Sequence, residues 1–458
     1  MMGYAEYKLF VFLTAFFAGG FFIRKYGPIV LLYFASFFCW HAMTLNSWGP
    51  FDFFLKEMSF SDIAIGWAFF YAVFLRRRIK IPYLKLLLIF FVSSLIPWFL
   101  GNIPEYGYAW IAMRQCVILP IMAYVVIIKI VKTEGELKNL IWCFLGGSVL
   151  LALVSLMAAL GYFGPPLAAD YIDTSVKEYR FFTSYRIPIL GSMTLGGNLT
   201  TVFAAFAVPY FINLLLSIEK KTIRVTAFLL SGFALNLSVI LISGSRTPLI
   251  AVIISIGVIY FLVYRKNPIT NIGKVIAACF LGVTIYLFFQ NTGLISIGTT
   301  ERFVSLSYAF RSPYAYFQEY SGGRYQTWGE FIPTLVNHPF GAGFMESFAP
   351  IGGADVGPHA QYLLLLLGTG VIGMLIYFLF VFISMWKGFM HRPMNYRLAW
   401  IKIGTGGAIL TYFFSAFMVH TILVHGADFM LFILCGIGMK MTMLSNTQKK
   451  GQRLFIRW

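Results

Sequence analysis

The stretch from Gly357 to Gly373, GPHAQYLLLLLGTGVIG, decides how the rest of the chain is read. His359 stands just before an apolar run, and Gly368, Gly370 and Gly373 interrupt that run. No charged residue follows until Lys387. A helix over 360–386 is therefore long enough to cross about 30 Å of hydrocarbon. Comparable runs lie near 8–23, 28–45, 60–75, 84–100, 107–128, 139–162, 198–217, 225–243, 247–264, 274–290, 403–422 and 427–444. Of the 458 residues, 59% are hydrophobic and 11% charged, against about 25% charged in soluble domains. The runs are continuous, whereas barrel strands would alternate apolar and polar residues. The expected fold is all-α: a polytopic integral membrane protein, one transmembrane domain over 1–458, with about 12–13 transmembrane helices.

The formal charge is +18, from 35 basic and 17 acidic residues. Basic residues gather in short loops between the runs: Arg24-Lys25, Arg76-Arg77-Arg78, Lys129 with Lys132 and Lys138, and Lys220-Lys221 with Arg224. Arg265-Lys266, Lys387 with Arg392, Arg397 and Lys402, and the tail Lys449-Lys450 continue the set. Clusters in every second loop mark a cytoplasmic face and contact with anionic lipid, not nucleic acid. The C-terminus then lies in the cytoplasm. Two long segments, a first external loop at 164–197 and a second at 291–358 with short helices, fall on the opposite face. Loops of that length, rich in Tyr, Phe, Trp, Gly and Pro, are expected to be folded and functional. The five cysteines, Cys39, Cys116, Cys143, Cys279 and Cys435, show neither metal spacing nor a disulfide framework. The acidic residues of the outer loops are dispersed, so neither a metal nor another cofactor is expected. No cleavable signal peptide is expected either, because the first run lacks a small-residue cleavage site.

The external side carries a short set of polar candidates. Arg186 closes the first loop in Tyr185-Arg186. Arg246 sits in the tight turn Ser243-Gly244-Ser245-Arg246-Thr247-Pro248. Arg324 follows two glycines in Ser321-Gly322-Gly323-Arg324, at the expected start of a short helix, and Arg114 lies inside an apolar span near its outer end. An arginine at membrane depth is costly and needs a partner. Its bland alternative is a side chain that snorkels to head groups, and Lys177, Arg180, Arg302 and Arg311 are read that way. Several guanidinium groups facing one site bind phosphate or pyrophosphate by bidentate contacts. A lone histidine is more often structural than catalytic, and His338 and His425 are read as structural. His359 stands apart because it ends a long external loop, where a neutral imidazole can take a proton from an approaching hydroxyl. Gly370 and Gly373 are expected to thin the helix for close packing.

These residues together resemble the O-antigen ligase and Wzy-type polysaccharide polymerase superfamily. Its signature of a histidine, a small polar residue, nine residues, Gly, two residues and Gly is similar to His359, Ala360, nine residues, Gly370, Val371, Ile372 and Gly373. Ala360 departs from the usual Asn, Ser or Gln. Gly322-Gly323-Arg324 with Trp328, and then Asn337-His338-Pro339-Phe340-Gly341-Ala342-Gly343, resembles the segment before that histidine. Ser243-Gly244-Ser245-Arg246 resembles the family's arginine turn, and Tyr185-Arg186 its earlier loop. The resemblance covers roughly residues 180–375. It implies an inverting, metal-independent glycosyltransferase at the outer face of the bacterial inner membrane. The donor would be an undecaprenyl-pyrophosphate-linked glycan. His359 and Arg324 would be catalytic, and Arg186, Arg246, Arg324 and Arg114 would hold the pyrophosphate. The acceptor is either a lipid-linked repeat unit, for a polymerase, or lipid A core, for a ligase; membrane lipids and a chain-length regulator are further partners. From another class, a flippase for lipid-linked sugars would show internal repeats and mid-membrane ionisable groups; here the polar residues gather at one surface. A multi-span peptidoglycan glycosyltransferase would share the donor class but normally leans on a carboxylate, and the dispersed acidic residues of the outer loops give none that can be assigned to it.

Overall fold

The fold comes from a computed structural model that describes residues 14, 17–38, 60–74, 79–101, 106–159, 183–187, 191–195, 197–217, 222–242, 246–261, 276, 280, 284, 287, 291, 311–312, 333, 335–344, 349–351, 354–356, 361–390, 399–416 and 427–455. Residues 17–26 are helical, followed by α1 (Ile29–Phe37), α2 (Phe60–Phe74), α3 (Leu84–Phe99) and α4 (Tyr106–Met113). A π-helical turn (Arg114–Ile118) joins α4 to α5 (Leu119–Ile130), and α6 is Glu134–Ala159. The hairpin of β1 (Thr183–Ile187) and β2 (Gly191–Leu195) leads into α7 (Gly197–Ser217), α8 (Ile223–Ile242) and α9 (Arg246–Ile259). A second hairpin, β3 (Ala349–Ile351) and β4 (Ala354–Val356), precedes α10 (Gln361–Met390), α11 (Ala399–Ser415) and α12 (Ala427–Phe455). Among the described residues these two hairpins are the only strands, and everything that packs into the bundle is helical.

Among the described residues, five helical stretches are long and apolar enough to cross a membrane: Ala109–Ile130, Glu134–Met157, Ile223–Leu241, Gln361–Phe389 and Ala427–Ser445. Ser61–Phe74, Leu84–Phe99, Thr201–Leu216 and Thr247–Ile259 are shorter apolar helices. The span expected at 274–290 falls largely outside the described residues, as do most of both external loops. Large apolar side chains point outward along α10, at Val371, Ile372, Leu375, Leu379, Phe382 and Trp386. That helical stripe is what a face against lipid requires.

Local chemistry sets the ends. Thr133 and Glu136 form a reciprocal cap: the Glu136 carboxylate accepts from the backbone N–H of Thr133 at 3.0 Å, and the Glu136 N–H donates to Thr133 Oγ1 at 3.2 Å. α6 therefore starts where an acid and a threonine stand three apart. The π turn has its cause in Pro120, which cannot donate to the carbonyl four residues back and would clash with it. The chain widens instead, and the Leu119 N–H bonds to the Arg114 carbonyl, five residues back.

Close packing in the core depends on small residues, as in membrane bundles generally. On α11, a Cβ at Gly407 would lie 2.6 Å from Ile259 and 2.9 Å from Pro209, so α7 and α9 press directly on its backbone. Ser255 donates to the Gly407 carbonyl at 2.8 Å, and Tyr210 and Thr405 share a hydrogen bond of 2.7 Å.

Contacts divide the bundle into two ends. At one, Lys129 donates to the Ala72 carbonyl, Lys387 to the Tyr83 hydroxyl, Lys402 to Thr442 and Lys440 to the Ile128 carbonyl. At the other, α10 begins, α11 ends and α12 begins around Asp428. These four lysines thus share one end, as alternating loop charge predicts for the loop lysines.

Candidate functional site

The site is built on a break in α10. At Gly370 the backbone takes φ 67° and ψ −177° inside an otherwise helical run, a region open essentially to glycine alone. The segment Pro339–Gly343 docks into the break. The Leu367 carbonyl accepts from the N–H groups of Ala342 at 2.9 Å and Gly343 at 3.2 Å, while Val371 N–H donates to the Pro339 carbonyl at 3.1 Å. Groups freed by the break therefore find partners on another segment, as buried backbone must. The fit is backbone against backbone. A Cβ at Gly370 would sit 2.5 Å from the Phe340 carbonyl carbon, and one at Gly341 (φ 101°) would sit 2.7 Å from the Leu367 oxygen. Phe344 packs on Gly368, and Gly373 meets Ser93 of α3.

The expected single span at 360–386 is consequently two helical arms. In a straight helix, residues 362 and 378 would be about 24 Å apart along the axis. Here their rings stack with centroids 4.4 Å apart. The arms fold back on each other about Gly370. The first, 361–369, is covered by protein, and the second carries the lipid-facing stripe. Gly373 serves close helix packing, whereas Gly370 makes the corner.

Where the start of the first arm meets the second at Tyr377, seven residues past the corner, lies a buried polar cluster. Asp428, 4% exposed in the first turn of α12, is the only buried carboxylate among the described residues. Gln361 Nε2 donates to its Oδ2 at 2.7 Å. The Tyr377 hydroxyl reaches Oδ1 at 3.1 Å and the Tyr412 oxygen at 2.9 Å, and Tyr412 donates to Oδ1 as well. Gln361 Nε2 also approaches Cys116 Sγ at 3.4 Å, and the Gln361 backbone N–H bonds to the Ala416 carbonyl at 3.0 Å. Cys116 belongs to the π turn headed by Arg114 and Gln115, both buried, and wide turns of this kind recur at functional sites.

Three of the four arginines singled out from the sequence lie within the described residues. Arg114 heads the π turn at the Asp428 end. Arg246 is the first residue of α9. The start of α8 packs at the lysine end, through Phe228 against Trp142 and Trp142 against Trp400. Twenty residues and about 30 Å later, α8 delivers the chain, and hence the Arg246 backbone, to the Asp428 end. Arg186 lies on β1, opposite Ser192. Its hairpin leads directly into the start of α7, whose other end reaches Trp400 through Asn213. The backbones of Arg114, Arg186 and Arg246 thus go to one end of the bundle, together with Gln361. Arg324 and His359 lie outside the described residues. His338 has a structural part: its carbonyl accepts from Gly341 N–H at 2.9 Å and closes the docked turn.

Asp428, Gln361, Tyr377 and Tyr412 do not stand out as a group in the sequence. Asp428 did carry a signal, since an acid inside the head of an apolar span is expensive and usually functional.

The described residues form a polytopic helical bundle with a glycine-broken helix and a buried polar cluster around Asp428. Residues 231–378 match the family model described as O-Antigen ligase. The matched stretch is about a third of the chain, and over it the chain is similar to that family. It takes in Arg246, Arg324, His359, Gly370 and Gly373, and leaves Arg114, Arg186 and Asp428 outside. No curated protein matches the chain.

Proposed function

We propose that this protein is an inverting, metal-independent glycosyltransferase that polymerises surface-polysaccharide repeat units on undecaprenyl pyrophosphate at the periplasmic face of the inner membrane. The observation that carries the proposal is the O-Antigen ligase match over the segment holding Arg246, Arg324 and His359. The acceptor sugar's hydroxyl oxygen attacks the donor's anomeric carbon from the face opposite the pyrophosphate. The bond from that carbon to the phosphate oxygen breaks, and its electron pair leaves with the pyrophosphate. His359 takes the hydroxyl proton, a general-base role of about 10²–10⁴ in rate. Arg324, with Arg186, Arg246 and Arg114, offsets the charge that grows on the leaving group. The diphosphate bond is already activated, so the reaction draws on no nucleotide. Positive-inside charge puts the lysine end in the cytoplasm and the Asp428 end outside.

The family description favours one second reading, a ligase that transfers the finished glycan to lipid A core. Purified full-length protein with lipid-linked repeat units alone, and then with core lipid A added, separates the two. Polymerisation on lipid-linked units alone supports the first, and product formed only with lipid A core replaces it with the second. In either assay, His359→Ala and Arg324→Ala lose transfer while still inserting in the membrane. Wild-type transfer by both variants overturns the site.

A further inference from the structure

Asp428 has no access to a substrate. Both of its oxygens are occupied by Gln361, Tyr377 and Tyr412, and it is buried. Nor does stability explain it, because taking a carboxylate out of water costs several kcal/mol and well-packed apolar side chains often do as well or better. Its distinctive property is what it joins. Gln361 begins the first arm of α10, Tyr377 lies on the second, Tyr412 ends α11, and Asp428 itself opens α12. One carboxylate ties the two arms to each other and to both neighbouring helices. The backbone bond from Gln361 to Ala416 and the bond from the Tyr362 hydroxyl to the Phe413 carbonyl, 2.5 Å, fix the same first turn.

We infer that Asp428 is a positioning residue for the transfer reaction: by clamping Gln361 it fixes the first turn of α10, which begins two residues after His359 in the sequence. The inference rests on the reading of His359 as the base. A positioning role acts on the chemical step, because displacing a catalytic group by about 1 Å can cost 10²-fold in rate. Donor binding is expected to stay unchanged, since both Asp428 oxygens are taken up by Gln361, Tyr377 and Tyr412.

The pairing chemistry supplies the test. Asp428→Asn turns the charge-assisted contacts into weaker neutral ones whichever way the two amides turn, and Gln361→Glu sets two carboxylates face to face. Gln361→Glu combined with Asp428→Asn restores a donor–acceptor pair and leaves the tyrosines an oxygen to bind. The full-length protein in nanodiscs is given lipid-linked glycan extracted from the source cells' membranes, and release of undecaprenyl pyrophosphate is followed. Each single variant is expected to lose about 10–100-fold in kcat with the donor KM unchanged, and the double variant to recover most of that loss. Wild-type kcat in a folded Asp428→Asn protein, or a double variant no better than the worse single one, overturns the inference. Should the single variants fail to insert, Tyr377→Phe decides: it removes one hydroxyl and keeps the ring. A lower kcat at constant KM supports the clamp, and an unchanged kcat sinks it. His359→Ala runs in parallel. If it is inactive while Asp428→Asn is fully active, this inference alone fails; if it is fully active, the reading of the site fails and the inference with it.

Discussion

Gly370→Ala is the sharpest test of the broken helix. The new methyl group meets two separate penalties. Holding a non-glycine residue at φ 67°, ψ −177° costs about 1–3 kcal/mol. The Cβ would also lie 2.5, 2.7 and 2.8 Å from the carbonyl carbon, Cα and oxygen of Phe340. These are backbone atoms held by the bonds on either side, so they cannot rotate away, and overpacking of this kind adds about 1–3 kcal/mol. The sum is about 2–6 kcal/mol. With an unfolding entropy near 2 cal/mol/K per residue over 458 residues, each kcal/mol corresponds to about 1 °C, so Tm should fall by about 2–6 °C. Gly257→Ala is the matched control. It lies in α9 with nothing within 4 Å of the added methyl, and should be neutral or gain about 0.5–1 kcal/mol from helix propensity. Thermal unfolding of the detergent-purified proteins, followed by tryptophan fluorescence, gives both values. Limited proteolysis across 338–344 should show that segment released in Gly370→Ala only. Equal Tm values for the two variants, with 338–344 equally protected, would refute the docking of that segment into the break.

Other outcomes follow from the packing. Thr133→Ala removes one half of the cap on α6 and should cost about 1 kcal/mol of stability, with glycan transfer unchanged because the cap lies at the lysine end; a urea or thermal melt measures it. Tyr210→Phe deletes the buried hydrogen bond to Thr405 and should cost about 0.6–1.7 kcal/mol, the range for such bonds between membrane helices. Gly407→Val drives a side chain into Ile259 and Pro209. It should lower Tm by more than Gly370→Ala does, read in the same melt, because two helices must move rather than one turn.

The sequence by itself determined the class of fold. Hydropathy summed over eighteen or more residues is a local quantity, unchanged by whatever packs alongside, so the runs at 107–128, 139–162, 225–243 and 427–444 reappear as long apolar helices. Loop charge is local in the same sense, and it told in advance that Lys129, Lys387 and Lys402 would share one end. The His359-to-Gly373 spacing was legible because the family pattern is written in consecutive residues. What only the tertiary structure decided is non-local. An apolar run with three glycines is as consistent with a straight, closely packed helix as with a corner. Gly370 turns because the backbone of Pro339–Gly343, some thirty residues earlier in the chain, supplies the hydrogen bonds that a straight helix would have made for itself. Likewise Asp428, Gln361, Tyr377 and Tyr412 are spread over nearly seventy residues and show no spacing. A carboxylate can be buried only where its donors converge, and that convergence exists only after three helix ends have come together.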